Sequence, residues 1–125
     1  MAHRLPLLHG ETARVIAHRG ASAYRPENTP SAFELAIEQQ ADMIETDLHF
    51  TRDRTVAISH EAQLEHLGGE GELVDRDIEA VRKLDAGDGQ AVPILEEVLD
   101  DFGTRVPFNL EVKRSLRGFY KGIER

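Results

Sequence analysis

Seven residues stand out for the chemistry their types and spacing allow: His18, Arg19, Glu45, Asp47, His60, Glu111 and Lys113. Glu45 and Asp47 sit one residue apart inside the apolar run MIETDLHF, residues 43–50. At strand rise their carboxylates lie about 7 Å apart. At an effective dielectric of about 20 their repulsion is on the order of 2 kcal/mol, and partial burial adds several more. A divalent cation held by both removes that cost, and Glu111 is a candidate third oxygen ligand. The sequence contains no cysteine, so thiolate sites and disulfides are excluded. Carboxylates then favour a hard cation, Mg²⁺ or Ca²⁺, without choosing between them. Two acids at a strand end most often do no more than cap a surface. Glu111 and two histidines arriving at the same rim turn the reading toward a metal site. Imidazole is the side chain suited to moving protons near neutrality, so His18 and His60 could divide proton transfer, one as base and one as acid. Arg19 and Lys113 bring positive charge suited to phosphate oxygens. Carboxylates, cations and a metal together point to an anionic, metal-chelating substrate, with a phosphoryl ester as the natural candidate.

These residues need elements to bring them together. Arg14–Gly20 reads as a short strand stopped by glycine, and Thr29–Gln40 as a helix. Thr29 can cap that helix ahead of Pro30, or Ser31 and Glu34 can form a capping box. Its apolar face carries Phe33, Ala36, Ile37 and Gln40. Met43–Phe50 is the next strand and closes a right-handed βαβ unit. Only Thr51–Thr55 separate it from Val56–His60, too few residues for a parallel crossover, so the second segment must return antiparallel. With Asp53-Arg54 as a two-residue turn, the register sets Asp47 opposite His60; a bulge or longer loop would shift it. Leu64–Val74 reads as a loop, while Asp75–Gly87 and Pro93–Gly103 read as helices. Val106–Lys113 is a third strand of parallel type. The order implies an α/β fold, in which chemistry gathers at the carboxyl ends of parallel strands.

Composition narrows the function classes. A 40% hydrophobic and 30% charged chain of 125 residues is that of one folded domain or part of a larger one. The net charge of −8 argues against nucleic acid as the main partner. Lys113, Arg114, Arg117, Lys121 and Arg125 against Glu124 give the end a local +4, which leaves −12 on residues 1–112. That basic end reads as a solvated, fraying tail. LPLL is the only apolar run near the N-terminus, too short for a signal peptide or a membrane span. A cytoplasmic location is the default expectation.

In order and spacing, several short motifs together resemble the glycerophosphodiester phosphodiesterase family. They are His18-Arg19-Gly20, Pro26-Glu27-Asn28-Thr29, the run from Ala41 to Asp47, Thr51-x-Asp53, His60-Glu61, the run from Pro93 to Leu99, and Asn109 to Lys113. Each is weak alone, but seven in sequence, from about Val15 to Lys113, are specific. The resemblance implies a TIM-type (β/α) barrel of the phospholipase C-like phosphodiesterase type. It implies metal-dependent hydrolysis of glycerophosphodiesters, the deacylated headgroups of phospholipids, to glycerol 3-phosphate and an alcohol. By position, Glu45, Asp47 and Glu111 match the metal ligands and His18 and His60 the general acid/base pair. Arg19 and Lys113 match phosphate contacts.

Two residues depart from the family pattern. Glu61 stands where aspartate usually follows the histidine, and Arg54 stands where the hairpin turn usually has glycine. A complete barrel takes roughly 250 residues, so the chain reads as the N-terminal half of an enzyme, truncated by an early stop or a frameshift. Residues 1–13 are then an N-terminal extension, 14–113 the barrel part and 114–125 the basic tail. Related barrels acting on lysophospholipids or sphingomyelin share the metal site. An inert half-barrel, stable through self-association or with a separate C-terminal half, is the reading from another class. Glu27 and Asn28 read as organisers of the first loop, His49 as structural, and His3, His9 and His66 as exposed.

Overall fold

A computed structural model describes residues 13–123; residues 1–12 of the expected extension, with His3 and His9, lie outside them. Strand β1 (Ile16–His18) leads through a tight loop into helix α1 (Pro30–Glu38), which delivers the chain to β2 (Met43–Phe50). Thr29 caps α1, its Oγ1 accepting from the Ala32 N–H, with Pro30 in the first turn; the Ser31–Glu34 alternative is not used. Gln40 lies past the helix end at φ 62 and is exposed, so it does not belong to the buried face. Gly20 is required at the loop start. Its φ is +79, and a Cβ there would stand 2.8 Å from Ala32, where the loop packs against α1.

β2 is the central strand. β1 pairs with it in parallel through Ile16↔Met43 to His18↔Glu45, and β4 (Phe108–Val112) in parallel through Ile44↔Phe108 to Leu48↔Val112. β3 (Val56–Ile58) returns antiparallel along the last three residues of β2. Leu48 pairs with both β3 and β4, and Glu45 with both β1 and β4, so β1 and β3 share one side of β2 and β4 holds the other.

The hairpin register differs from the expected one by a residue. Leu48 faces Ile58, and the Ser59 N–H donates to the Asp47 carbonyl at 3.1 Å, so Ser59 and not His60 stands opposite Asp47. The cause is the turn. Arg52, Asp53 and Arg54 form a three-residue loop closed by Thr51 and Thr55, with Arg54 at φ 60, the left-handed conformation such loops need at their last position. Arg54 is supported there by donation to the Lys121 carbonyl at 2.7 Å and by the Phe50 ring 4.5 Å away. The Asp53 carboxylate accepts from Thr51 Oγ1 and also from the Ile78 N–H at 3.1 Å. It therefore caps α2 (Ile78–Val81), which has no side-chain cap of its own.

α2 is one turn, not the long helix expected over Asp75–Gly87. Asp85 Oδ1 accepts from the N–H groups of Gly87 and Gly89 at 2.7 and 3.0 Å, and this local turn competes with further helix. Helix α3 (Leu95–Phe102) starts later than Pro93 because Ile94 bridges to Ala57. Phe33 gathers the main core, edge to face with Phe102 at 5.9 Å and with Phe108 at 5.7 Å, among Ile44, Leu48, Ile58, Val98 and Val106. A second cluster of Ala57, Leu64, Leu73, Val81 and Val92 holds the segment after the hairpin.

The basic end is folded back on the body. Strands β5 (Arg114–Ser115) and β6 (Gly118–Phe119) form a small hairpin. Arg117 pairs with both oxygens of Asp75 at 2.7 Å, and buried Glu72 accepts from the Leu116 N–H at 2.8 Å. Among the described residues of this end, Arg117 and the main chain find specific partners, invisible in composition, where fraying is expected; Glu124 and Arg125 lie outside them.

Candidate functional site

The carboxyl ends of β1, β2 and β4 form one rim. The parallel registers place Glu45 beside His18 and Asp47 beside Glu111. Carboxylate oxygens of Glu45, Asp47 and Glu111 lie within 4.8 Å of one another. Glu45 and Asp47 are 7% and 0% exposed, an expensive place for two acids.

The chain satisfies half of each buried carboxylate. Asp47 Oδ2 accepts from Asn28 Nδ2 at 3.0 Å and lies 3.4 Å from Arg19 Nε. Glu45 Oε2 accepts from the Arg19 N–H at 3.3 Å and lies 3.7 Å from His18 Nε2. Glu45 Oε1 and Asp47 Oδ1 are buried without a hydrogen-bond partner among the described residues. Native proteins rarely leave such oxygens unpaired. Lys113 Nζ is 3.7 Å from Asp47 Oδ1 and donates to Glu111 Oε1 at 2.7 Å. Burial first, and then the Asp47 charge, push the Glu45 carboxyl up to about 7. Glu111 goes the other way: the Lys113 ammonium hydrogen bond holds it below its ordinary value, and the same bond raises Lys113.

Arg19 adopts a left-handed conformation, φ 60, which turns its side chain back between Asp47 and Glu27, whose Oε2 accepts from Nη1 at 3.0 Å. Asn28, also left-handed at φ 57, is a working part of the rim. Its amide donates to Asp47 while its carbonyl accepts from Thr46 Oγ1 at 2.7 Å. His60 reaches the rim by a bend after β3, not by strand pairing. Its Nδ1 lies 3.1 Å from Glu61 Oε1, so the longer glutamate does reach the imidazole. A cavity of about 40 Å³ is lined by His60 together with Glu27, Asn28 and Ser59.

Of the seven expected site residues, Glu45, Asp47, Glu111, Arg19 and Lys113 form one contact network. His18 touches it through Glu45, and His60 stands beside it across the small cavity. Sequence reasoning reads His49 as structural and passes over Tyr120. His49 is buried at the end of β2, and its ring touches both the Tyr120 hydroxyl and the His60 carbonyl. Burial holds its imidazole below the ordinary value. Alternation along β2 puts His49 on the face of Asp47, a legible signal; Tyr120 has none.

Comparison with known proteins decides the family. The family model described as glycerophosphoryl diester phosphodiesterase family matches residues 18–124. The chain belongs to that family. It is similar to the glycerophosphodiester phosphodiesterase of Bacillus subtilis (strain 168), 37% identical over 134 residues, covering 94% of this chain and 45% of the relative. Among solved structures it resembles the glycerophosphodiester phosphodiesterase of Agrobacterium tumefaciens, with TM-score 0.79, 30% identity, and 83% of this chain on 48% of that one. It also resembles an Oleispira antarctica phosphodiesterase in complex with the product sn-glycerol-3-phosphate, with TM-score 0.76, 30% identity, and 81% of this chain on 44% of that one. The chain spans about half the length of the curated relatives it matches. Its α/β architecture is a half of the family's TIM-type barrel, as the resemblance implied. No helix among the described residues is long and apolar enough to cross a membrane.

Proposed function

We propose that the rim is the metal-dependent hydrolytic site of a glycerophosphodiester phosphodiesterase, cleaving a glycerophosphodiester to glycerol 3-phosphate and an alcohol. The single observation that carries this is the pair of buried oxygens without a hydrogen-bond partner among the described residues, Glu45 Oε1 and Asp47 Oδ1, clustered with Glu111. An all-oxygen donor set fits a hard cation, Mg²⁺ or Ca²⁺. Glu45, Asp47 and Glu111 would hold it, and when bound it supplies Lewis-acid polarisation of a phosphoryl oxygen.

The rest of the chemistry belongs to the chain. Arg19 and Lys113, which lean on Asp47 from two sides, turn to the diester's anionic oxygens and set the phosphorus over the rim. One of His18 and His60 accepts the proton of the attacking hydroxyl, and the other protonates the departing alcohol oxygen. With the substrate's own glycerol hydroxyl as attacker, the first product is a cyclic phosphodiester. Water then opens it with the two histidine roles exchanged. Glu61 Oε1 beside Nδ1 holds the His60 ring and leaves Nε2 for the proton transfer.

The reading includes a cover for β4, whose Leu110 and Val112 are 37% and 49% exposed although their register neighbours Thr46 and Leu48 are buried. A further half-barrel, from a longer chain or a second copy, would pair with that edge. The test is release of glycerol 3-phosphate from glycerophosphocholine with Mg²⁺ or Ca²⁺ added, with sedimentation run alongside. Turnover that EDTA stops and His60→Ala lowers at least about a hundredfold supports the proposal. Turnover indifferent to chelation, or to both His18→Ala and His60→Ala, refutes it.

A further inference from the structure

Tyr120 and His49 take no part in the mechanism above, yet they reach His60 through consecutive hydrogen bonds. The Tyr120 hydroxyl stands 2.7 Å from His49 Nδ1, and His49 Nε2 stands 3.1 Å from the His60 carbonyl oxygen. A carbonyl oxygen only accepts, so Nε2 carries the hydrogen. In the neutral ring Nδ1 then accepts, and the tyrosine hydroxyl donates to it. One tautomer satisfies both partners. The His49 and Tyr120 rings meet edge to face at 5.7 Å, and Phe50 packs on Tyr120 in the same way at 5.8 Å, so neither ring is free to turn.

The main chain around His60 is held on both sides of this contact. The Ser59 N–H donates to the Asp47 carbonyl, and Ser59 Oγ donates to the Glu61 carbonyl at 3.0 Å. His49 holds the carbonyl between them. Because His60 follows a bend and is not fixed by strand pairing, the direction of its side chain depends on these contacts.

We propose that Tyr120 and His49 are positioning residues for His60: the tyrosine hydroxyl fixes the His49 ring, and the ring's N–H fixes the main chain from which the His60 imidazole projects. The segment after β6 thereby connects to the proton-transfer group. Arg54 secures that segment by donating to the Lys121 carbonyl. The inference rests on the reading of His60 as a proton-transfer residue.

Tyr120→Phe, which deletes one oxygen, tests it in the full chain. Nitrogen-15 spectra of the wild type should show His49 with hydrogen on Nε2 and an accepting Nδ1. In the variant the His49 Nδ1 signal shifts, and the His60 carbonyl and ring signals shift or broaden. With glycerophosphocholine, kcat falls about fivefold to tenfold, the loss of one neutral hydrogen bond, while KM holds. His49→Gln, whose amide N–H can meet the same carbonyl, retains part of the kcat that His49→Leu loses. Unmoved His60 signals in Tyr120→Phe overturn the proposal, as does an unchanged kcat. A folded wild type without turnover counts against the phosphodiesterase reading instead, and the His60 signals then decide the positioning by themselves.

Discussion

β2 and β4 lie side by side in parallel register and each sends a glutamate to the same cluster, but they do so from opposite environments. All of β2 except Met43 is buried, while β4 is exposed along Asn109–Val112. Glu45 is raised by burial and by the Asp47 charge, whereas Glu111 is lowered by its Lys113 partner. The difference teaches that the site is built unevenly. The buried strand carries the electrostatic cost that a cation would relieve. The exposed strand carries an acid already compensated by the chain itself.

The contrast should be largest in activity. Asp47→Asn removes a proposed ligand at a position closed to solvent, and a loss of at least about a thousandfold in kcat/KM is expected. At Glu111→Gln water can fill the vacated position, and the loss should be nearer about tenfold to a hundredfold. Equal losses in a glycerol 3-phosphate release assay would erase the distinction. In stability, Ile44→Ala on β2 should cost about 2–5 kcal/mol, against less than about 1 kcal/mol for Leu110→Ala on β4, by urea unfolding. Comparable costs would mean that β4 is covered in solution.

The pH dependence sharpens the comparison further. Glu45 holds its proton up to about 7 when folded, against an ordinary value of 4.5. The folded state therefore binds more protons than the unfolded state between those values. Stability of the cation-free protein is intact below the lower value, falls as pH rises through the window and is level above it. The fall is on the order of 3 kcal/mol. Glu34, Asp75, Asp77 and Glu111 are shifted downward, so their contributions change below this window. In thermal melts wild type should lose stability relative to Glu45→Gln as pH rises through the window, with equal slopes below and above it; parallel curves within the window would contradict the assignment. Smallest is the hairpin. Arg54→Gly relieves a left-handed residue worth about 1 kcal/mol but deletes the Lys121 and Phe50 contacts, so its melting point should move little.

Much of this is legible in the residues. Met43–Phe50 has the bounds its sequence predicts, because acids inside a strongly apolar run leave little choice. The parallel strand ends then bring Glu45, Asp47 and Glu111 to one rim. The hairpin register is not legible, because it depends on which residue accepts a left-handed φ, and Arg54 does so through contacts made by residues far along the chain. Periodicity overextends α2 because it does not register the side-chain turn that Asp85 makes. Composition misjudges the end beyond Lys113 because Arg117 finds Asp75 and Glu72, partners more than forty residues away in sequence. Asn28 stands out as a loop organiser, yet its bond to Asp47 needs the left-handed turn that only the fold displays.

The central claim is that the buried acids of β2 are there to hold a divalent ion, and calorimetric titration of folded protein with Mg²⁺ and Ca²⁺ tests it most directly. Above the Glu45 value of about 7, uptake of one cation per chain is expected, with proton release appearing as the pH is lowered toward that value and with binding lost in Asp47→Asn. A folded wild type that takes up neither ion, or a variant that binds as well as wild type, would contradict it.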